Sequence, residues 1–199
     1  MPPNRIFDID EMNILIEVEN KGAYTTKGTA DRIYLSGFDP AIITNIPTTG
    51  KPIPSLEGKG AYTPYGATDR ISFSAIPTTL SSKNIDKYPV KIMATACYEY
   101  QTTASANICI DPNPYKISTA EKACTPQNKA LGSQGAPIAV TSVDLEPSPG
   151  ITRLKINIAN QCNGEVFKPG IETLQRCSPY SQGLGFEEID YIRLDEIKV

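Results

Sequence analysis

Proline and glycine interrupt this chain so often that no long helix has room to form. Seventeen prolines and fourteen glycines fall among its 199 residues, and no apolar spacing of three and four persists for a dozen positions. Each proline removes a backbone donor and fixes a dihedral, which confines it to turns, edges and element ends. The stretches between the breaks alternate with period two and are rich in Thr, Ser, Ile, Tyr and Val, the composition of strands. With 40% hydrophobic and 21% charged residues, the chain also carries enough apolar material for a core. An all-β protein is the prediction.

Individual segments bear the pattern. "NILIEVENKG" places Ile14, Ile16 and Val18 on one face and Glu17 and Glu19 on the other, ending in an Asn-Lys-Gly turn. "DRIYLSGFDP" points Ile33 and Leu35 inward, and "DRISFSAIP" does the same with Ile71 and Phe73. Between them, "IITNIPTTGKPIPSLEGKG" is a loop with at most short strands. "YPVKIMATACYEYQTTASANICIDPNPY" predicts a hairpin around the polar tip Gln101–Ala106. From Asp111 the texture turns polar and proline-rich, a connector with a short helical turn near Thr119–Ala123. Strands resume at "IAVTSVDLEP" and "ITRLKINIANQCNG", with Leu154, Ile156 and Ile158 inward, and "DYIRLDEIKV" is read as the closing strand.

Strands at this spacing predict an Ig-like β-sandwich over residues 1–112, a connector over 113–135, and a second, smaller Ig-like β unit over 136–199. The second unit is incomplete by count. An Ig-like sandwich takes around seven strands and about 100 residues. Here Ala136–Val199 offers 64 positions and three or four strands. Such a half-sandwich would expose Ile156, Ile158, Ile192 and Leu194, which become the expected assembly contacts. Either the chain is a piece of a longer polypeptide, or a neighbouring copy completes the unit by β-strand addition.

One passage is said twice. "KGAYTTKGTADRIYLS" from Lys21 and "KGAYTPYGATDRISFS" from Lys59 agree at ten of sixteen positions without a gap. A solenoid needs about three copies, so two are read as similar corners of one sandwich. Each is a Gly-Ala-Tyr turn and polar arm feeding a strand.

Five cysteines and no histidine bear on compartment and chemistry. No two are spaced Cys-x-x-Cys, which argues against zinc and for disulfides formed in an oxidising compartment. Cys162 with Cys177, and Cys109 with Cys124, bracket short loops and are the expected pairs, leaving Cys97 buried and free; a Cys97–Cys109 link across the hairpin is the alternative.

Several functions find no footing. Lys and Arg are scattered in a chain of net charge −3, without the basic cluster a phosphate backbone requires, so nucleic acid is not an expected partner. No apolar run reaches the ~20 residues that span a bilayer. "MPPNRIFDID" has no signal core, so the targeting segment of an exported chain would lie outside these residues. A serine or cysteine nucleophile would lack its usual histidine base, and Gly183–Gly185 is not followed by the Lys-Ser/Thr of a phosphate cradle. Asp8, Asp10 and Glu11 could contribute to a calcium site, but no calcium-loop motif surrounds them and solvated surface charge accounts for them better. No cofactor, metal or catalytic residue is assigned. Tyr98 and Tyr100 suit either an aromatic binding face or cross-strand packing. Asn-x-Ser/Thr sequons are absent.

The stretches "ILIEVENKGAY", "RIYLSGFDP" and "MATACYEYQTTASANICIDPNPY" resemble the Ig-like, cell-adhesion-related (CARDB-like) domains of archaeal secreted or membrane-anchored proteins. Those domains commonly open with a strand ending Asn-x-Gly, as at Asn20–Gly22. "GAPIAVTSVDLEPSPGITRLKINIANQCNG" resembles the start of a second such domain, with Asn160 and Gly164 at the matching turn. The resemblance implies an extracellular or cell-surface location and no activity. Two functions are expected from it: a filament, sheath or surface-layer subunit partnered by its own copies, or an adhesion module for glycan or protein.

Overall fold

The computed structural model describes residues 5–111, 113–116 and 122–198. They form nine strands: β1 (Met12–Glu19), β2 (Arg32–Ser36), β3 (Ile43–Thr44), β4 (Lys51–Pro52), β5 (Thr68–Pro77), β6 (Met93–Cys97), β7 (Lys129–Ala130), β8 (Ile138–Ser148) and β9 (Ile151–Asn160). One short helix, α1 (Ile171–Arg176), and two 3-10 turns complete the regular structure. The chain is all-β, as its punctuation predicts. Two compact units divide it: residues 5–21, 25–99 and 165–198 make the first, and 22–24 with the described residues of 100–164 make the second.

Unit one holds two antiparallel three-stranded sheets, ordered β1–β5–β3 and β4–β2–β6. Alternation on β1 turns Ile14 and Ile16 toward the core, opposite Phe73 and Ile71 of β5. On the outer face Glu17 stands opposite Arg70, whose Nε donates to its carboxylate at 3.0 Å. Ile33 and Leu35 of β2 meet Ile71 and Phe73 in the same core, with Ile53 and Leu56 beside them. Each such side chain contributes about 1.5–3 kcal/mol on burial.

The repeat is structural. Gly28 and Gly66, at matching positions, both take left-handed backbone, with φ of +69° and +78°. A Cβ on Gly66 would stand 1.9 Å from the Asn20 carbonyl oxygen, so glycine is required there. Each turn then feeds a strand, β2 in one sheet and β5 in the other, whose Ile-x-Leu and Ile-x-Phe residues share one core.

Tyr34 keeps the alternation but not the exposure expected of it. It lies between Ile33 and Leu35 and should face solvent, yet it is buried with Cys97 and Leu174. Residues 165–198 cover that face of the β2–β6 sheet: α1 supplies Leu174, Phe167 packs beside it, and the Tyr180 hydroxyl donates to the Leu35 carbonyl. Strand β2 is therefore buried on both faces. This corrects the 136–199 boundary, since the C-terminal segment belongs to unit one. It also corrects the closing strand: Phe167 and Ile189 form an isolated bridge, but residues 191–198 join no ladder.

Unit two is the antiparallel sheet β7–β8–β9. Strands β8 and β9 form a long hairpin through Pro149 and Gly150, the latter at φ +77°. Between Val140 and Ser142 the register slips by the one extra residue Thr141, a β-bulge. Across the bulge the middle of the hairpin keeps one face apolar, pairing Val140 with Ile158, Val143 with Ile156 and Leu145 with Leu154. The other face pairs Asp144 with Lys155 and Glu146 with Arg153. Residues 98–111 form no strand, so the hairpin expected around Gln101–Ala106 is absent, and they divide between the units at 99/100 instead of completing a domain that ends at 112. The helical turn expected near Thr119–Ala123 falls largely outside the described residues.

Candidate interaction surface

The cysteines decide which segments are held. Cys97, at the end of β6, is bonded to Cys177 at the C-terminal end of α1, 80 residues away. Cys109 is bonded to Cys124. The expected Cys162–Cys177 pair is thus corrected, as is the free Cys97. Cys162 is unpaired and exposed. It sits in a tight turn after β9, where its N–H donates to the Asn160 side chain at 3.0 Å and Asn160 Nδ2 donates to the Gly164 carbonyl at 2.8 Å. Cys177 instead lies over the β2–β6 sheet of unit one, in the apolar cluster of Tyr34 and Leu174.

The four expected assembly contacts do not make one face. Ile156 and Ile158 lie on β9 in unit two, while Ile192 and Leu194 lie on the strand-free C-terminal segment of unit one. All but Ile156 are exposed, Leu194 at 65%. On the polar face of the hairpin, Asn157 Nδ2 donates to Ser142 Oγ and Asp144 Oδ2, each at 2.8 Å, so that face is internally satisfied.

Sheet edges differ sharply in length. β3, β4 and β7 each end a sheet and are two residues long, too short to recruit another strand. β1 and β9 end their sheets with eight and ten residues, without proline. β1 also exposes Leu15 at 61% and β9 exposes Ile158 at 41%. Each unit therefore carries a long open edge.

Asp8, Asp111 and Asp195 serve local structure. Asp8 accepts the Leu80 N–H at 2.7 Å at the start of a 3-10 turn, and Asp195 accepts from Arg193 at 2.7 Å, which raises the arginine pKa further. Asp111, hydrogen-bonded by Lys122 and by the Asn113 N–H, is held below the usual carboxylate value. Among the described residues no group of three or more His, Cys, Asp or Glu is placed to hold a metal ion. A shallow depression of about 430 Å³ is lined by Asn45, Ile46, Pro47, Lys51 and Ser74, and another of about 360 Å³ by Glu17, Thr68, Asp69 and Arg70. In the first, the Lys51 ammonium is engaged by the Ser72 carbonyl and the Phe73 ring.

The aromatic residues separate. Tyr98 is exposed in unit one, whereas Tyr100 in unit two packs edge-to-face on Tyr24, with centroids 5.5 Å apart. Tyr62 and Tyr65, in the second copy of the repeat, stand out at 98% and 81% exposure. Sequence reasoning found the repeat but missed this contrast between its copies. The signal was a Gly-Ala-Tyr retained in a loop. No helix among the described residues is long and apolar enough to cross a membrane. No family model, curated protein or solved structure matches the chain.

Proposed function

We propose that this chain is a non-enzymatic structural protein of the cell surface, a filament, sheath or surface-layer subunit that assembles through its β edges. The observation that carries the reading is the asymmetry of those edges: two long, proline-free edges in a chain whose shortest edge strands have only two residues each. An isolated protein with such edges tends to recruit another strand, and subunits built to polymerise use that tendency. Two disulfides support folding in an oxidising environment and hence an extracellular location. Ig-like packing of the two sheets in unit one, with the C-terminal segment as an added layer, belongs to the same proposal.

A second reading, a surface module that binds glycan or protein, draws on the exposed Tyr62 and Tyr65. Electron microscopy of the purified protein separates the two. Ordered polymers support assembly. A monomer that retains a ligand through purification supports the binding module. Turnover on a hydrolase panel, lost with a single carboxylate substitution, would overturn both.

A further inference from the structure

The two copies of the repeat have different fates, and the difference has a physical content. In unit two, Gly22–Tyr24 lies against Tyr100 and Gly135. The Ala23 N–H donates to the Gly135 carbonyl at 2.8 Å, and the Tyr24 N–H donates to the Tyr100 hydroxyl at 3.1 Å. The Tyr100 hydroxyl donates in turn to the same Gly135 carbonyl at 3.1 Å. Only glycine fits at position 22. A Cβ there would stand 1.7 Å from Tyr100 Oη and 2.5 Å from the Gly135 oxygen. Tyr100 and Gly135 thus form a socket that selects glycine, then two consecutive N–H donors, then an aromatic ring.

The second copy presents the same key with nothing seated on it. Gly60, Ala61 and Tyr62 are all exposed. The Ala61 and Tyr62 N–H groups, counterparts of the two donors above, make no hydrogen bond within the described residues. A Cβ on Gly60 would meet nothing within 4 Å, and its φ is not left-handed. Neither crowding nor backbone conformation calls for glycine there. Nor does packing account for a tyrosine that is 98% exposed.

We infer that Gly60–Ala61–Tyr62 is an intermolecular key, and that its lock is the Tyr100–Gly135 socket of a second copy of this chain, entered when that copy's own Gly22–Tyr24 withdraws. The inference rests on the assembly reading above and names a contact for it. Key and socket are different surfaces, so the contact is heterologous and each copy can hold the next. The chain's own key has an effective concentration on the order of millimolar, so dilute protein keeps it seated. Close packing of copies on a surface brings the second key to comparable concentration.

The test compares the full-length wild-type chain, Gly22→Val and Gly22→Val/Gly60→Val by sedimentation velocity at matched concentrations. A valine side chain at position 22 cannot seat in the socket, so Gly22→Val should self-associate, and adding Gly60→Val should weaken that association by about tenfold or more. A monomeric Gly22→Val, or association indifferent to Gly60→Val, overturns the proposal. Because Gly22→Val could perturb folding, a second measurement keeps residue 22 native. A photo-crosslinking phenylalanine replaces Lys59 in a mixture of ¹⁴N and ¹⁵N copies at about 1 mM, matching the intramolecular concentration. Mixed-isotope crosslinks to peptides containing Tyr100 or Gly135 are expected; crosslinks only elsewhere, or none, refute it. Polymers that persist with Gly60→Val would remove this contact and leave the assembly reading standing.

Discussion

Removing the Cys97–Cys177 bond should destabilise unit one by about 4–5 kcal/mol. The bond spans 80 residues, and the nested Cys109–Cys124 bond, spanning 15, shortens the loop it closes in the unfolded chain. Loop-closure entropy for a ring of that size is about 4 kcal/mol. Truncating the buried Cys97 and its partner to alanine adds about 1 kcal/mol of lost packing against Tyr34 and Leu174. Alanine is the right replacement, because serine would place a hydroxyl in an apolar cluster. With a urea dependence of about 2 kcal/mol/M, the midpoint of Cys97→Ala/Cys177→Ala should fall by about 2 M. Tyrosine fluorescence can follow the transition, since the chain has no tryptophan, and Tyr34 and Tyr180 sit within the affected layer. Cys162→Ala is the control, expected to leave the midpoint unchanged. A loss below about 1 kcal/mol in the double variant, or an equal loss in the control, would refute both the pairing and the claim that it clamps residues 165–198 to unit one.

Thiol titration of the unreduced protein should find one reactive cysteine per chain, Cys162 by mass mapping, before and after unfolding in denaturant; a labelled Cys97 or Cys177 would contradict the bond. Tyr180 donates to the Leu35 carbonyl, and desolvation raises its pKa above 10.0. The folded state therefore holds this proton more tightly than the unfolded chain. Its contribution is full below pH 10.0 and is lost as pH rises through the folded value. Tyr180→Phe should cost about 1 kcal/mol at neutral pH and flatten the alkaline limb of the stability profile; an unchanged limb argues against the burial of this hydroxyl. On the open edge of β9, Ile158→Lys should abolish ordered polymers seen by electron microscopy while shifting stability by less than about 0.5 kcal/mol. Intact polymers would show that this edge is not an assembly contact.

Much of the fold was legible because period-two alternation is a local property. It put Ile14 and Ile16 on one face of β1, turned Ile71 and Phe73 of β5 inward, and marked β8 and β9 as strands with Leu154, Ile156 and Ile158 inward; which strands pair with which came from the structure. The repeat was legible too, as two turns that each feed a strand, while the left-handed backbone at Gly28 and Gly66 came from the structure. The interaction surface was less so. Ile156, Ile158, Ile192 and Leu194 were recognisable as apolar positions on strand-like segments, yet the structure divides them between two units. The Tyr100–Gly135 socket had no sequence signature, because it is built from a hydroxyl and a backbone carbonyl that meet only after folding.

What the sequence by itself determined is the class of structure and the faces of its strands, since proline, glycine and alternation act on neighbouring residues. What only the tertiary structure decided is which segment covers which face. Alternation said that Tyr34 points away from Ile33 and Leu35, but whether that side meets water or α1 depends on a segment far later in the chain. The disulfide pairing has the same character. Loop-closure entropy changes only as the logarithm of loop length, so spacing barely distinguishes a short Cys162–Cys177 loop from the 80-residue Cys97–Cys177 one. The choice fell to packing, which brought Cys177 onto the β2–β6 sheet and left Cys162 in a solvent-exposed turn.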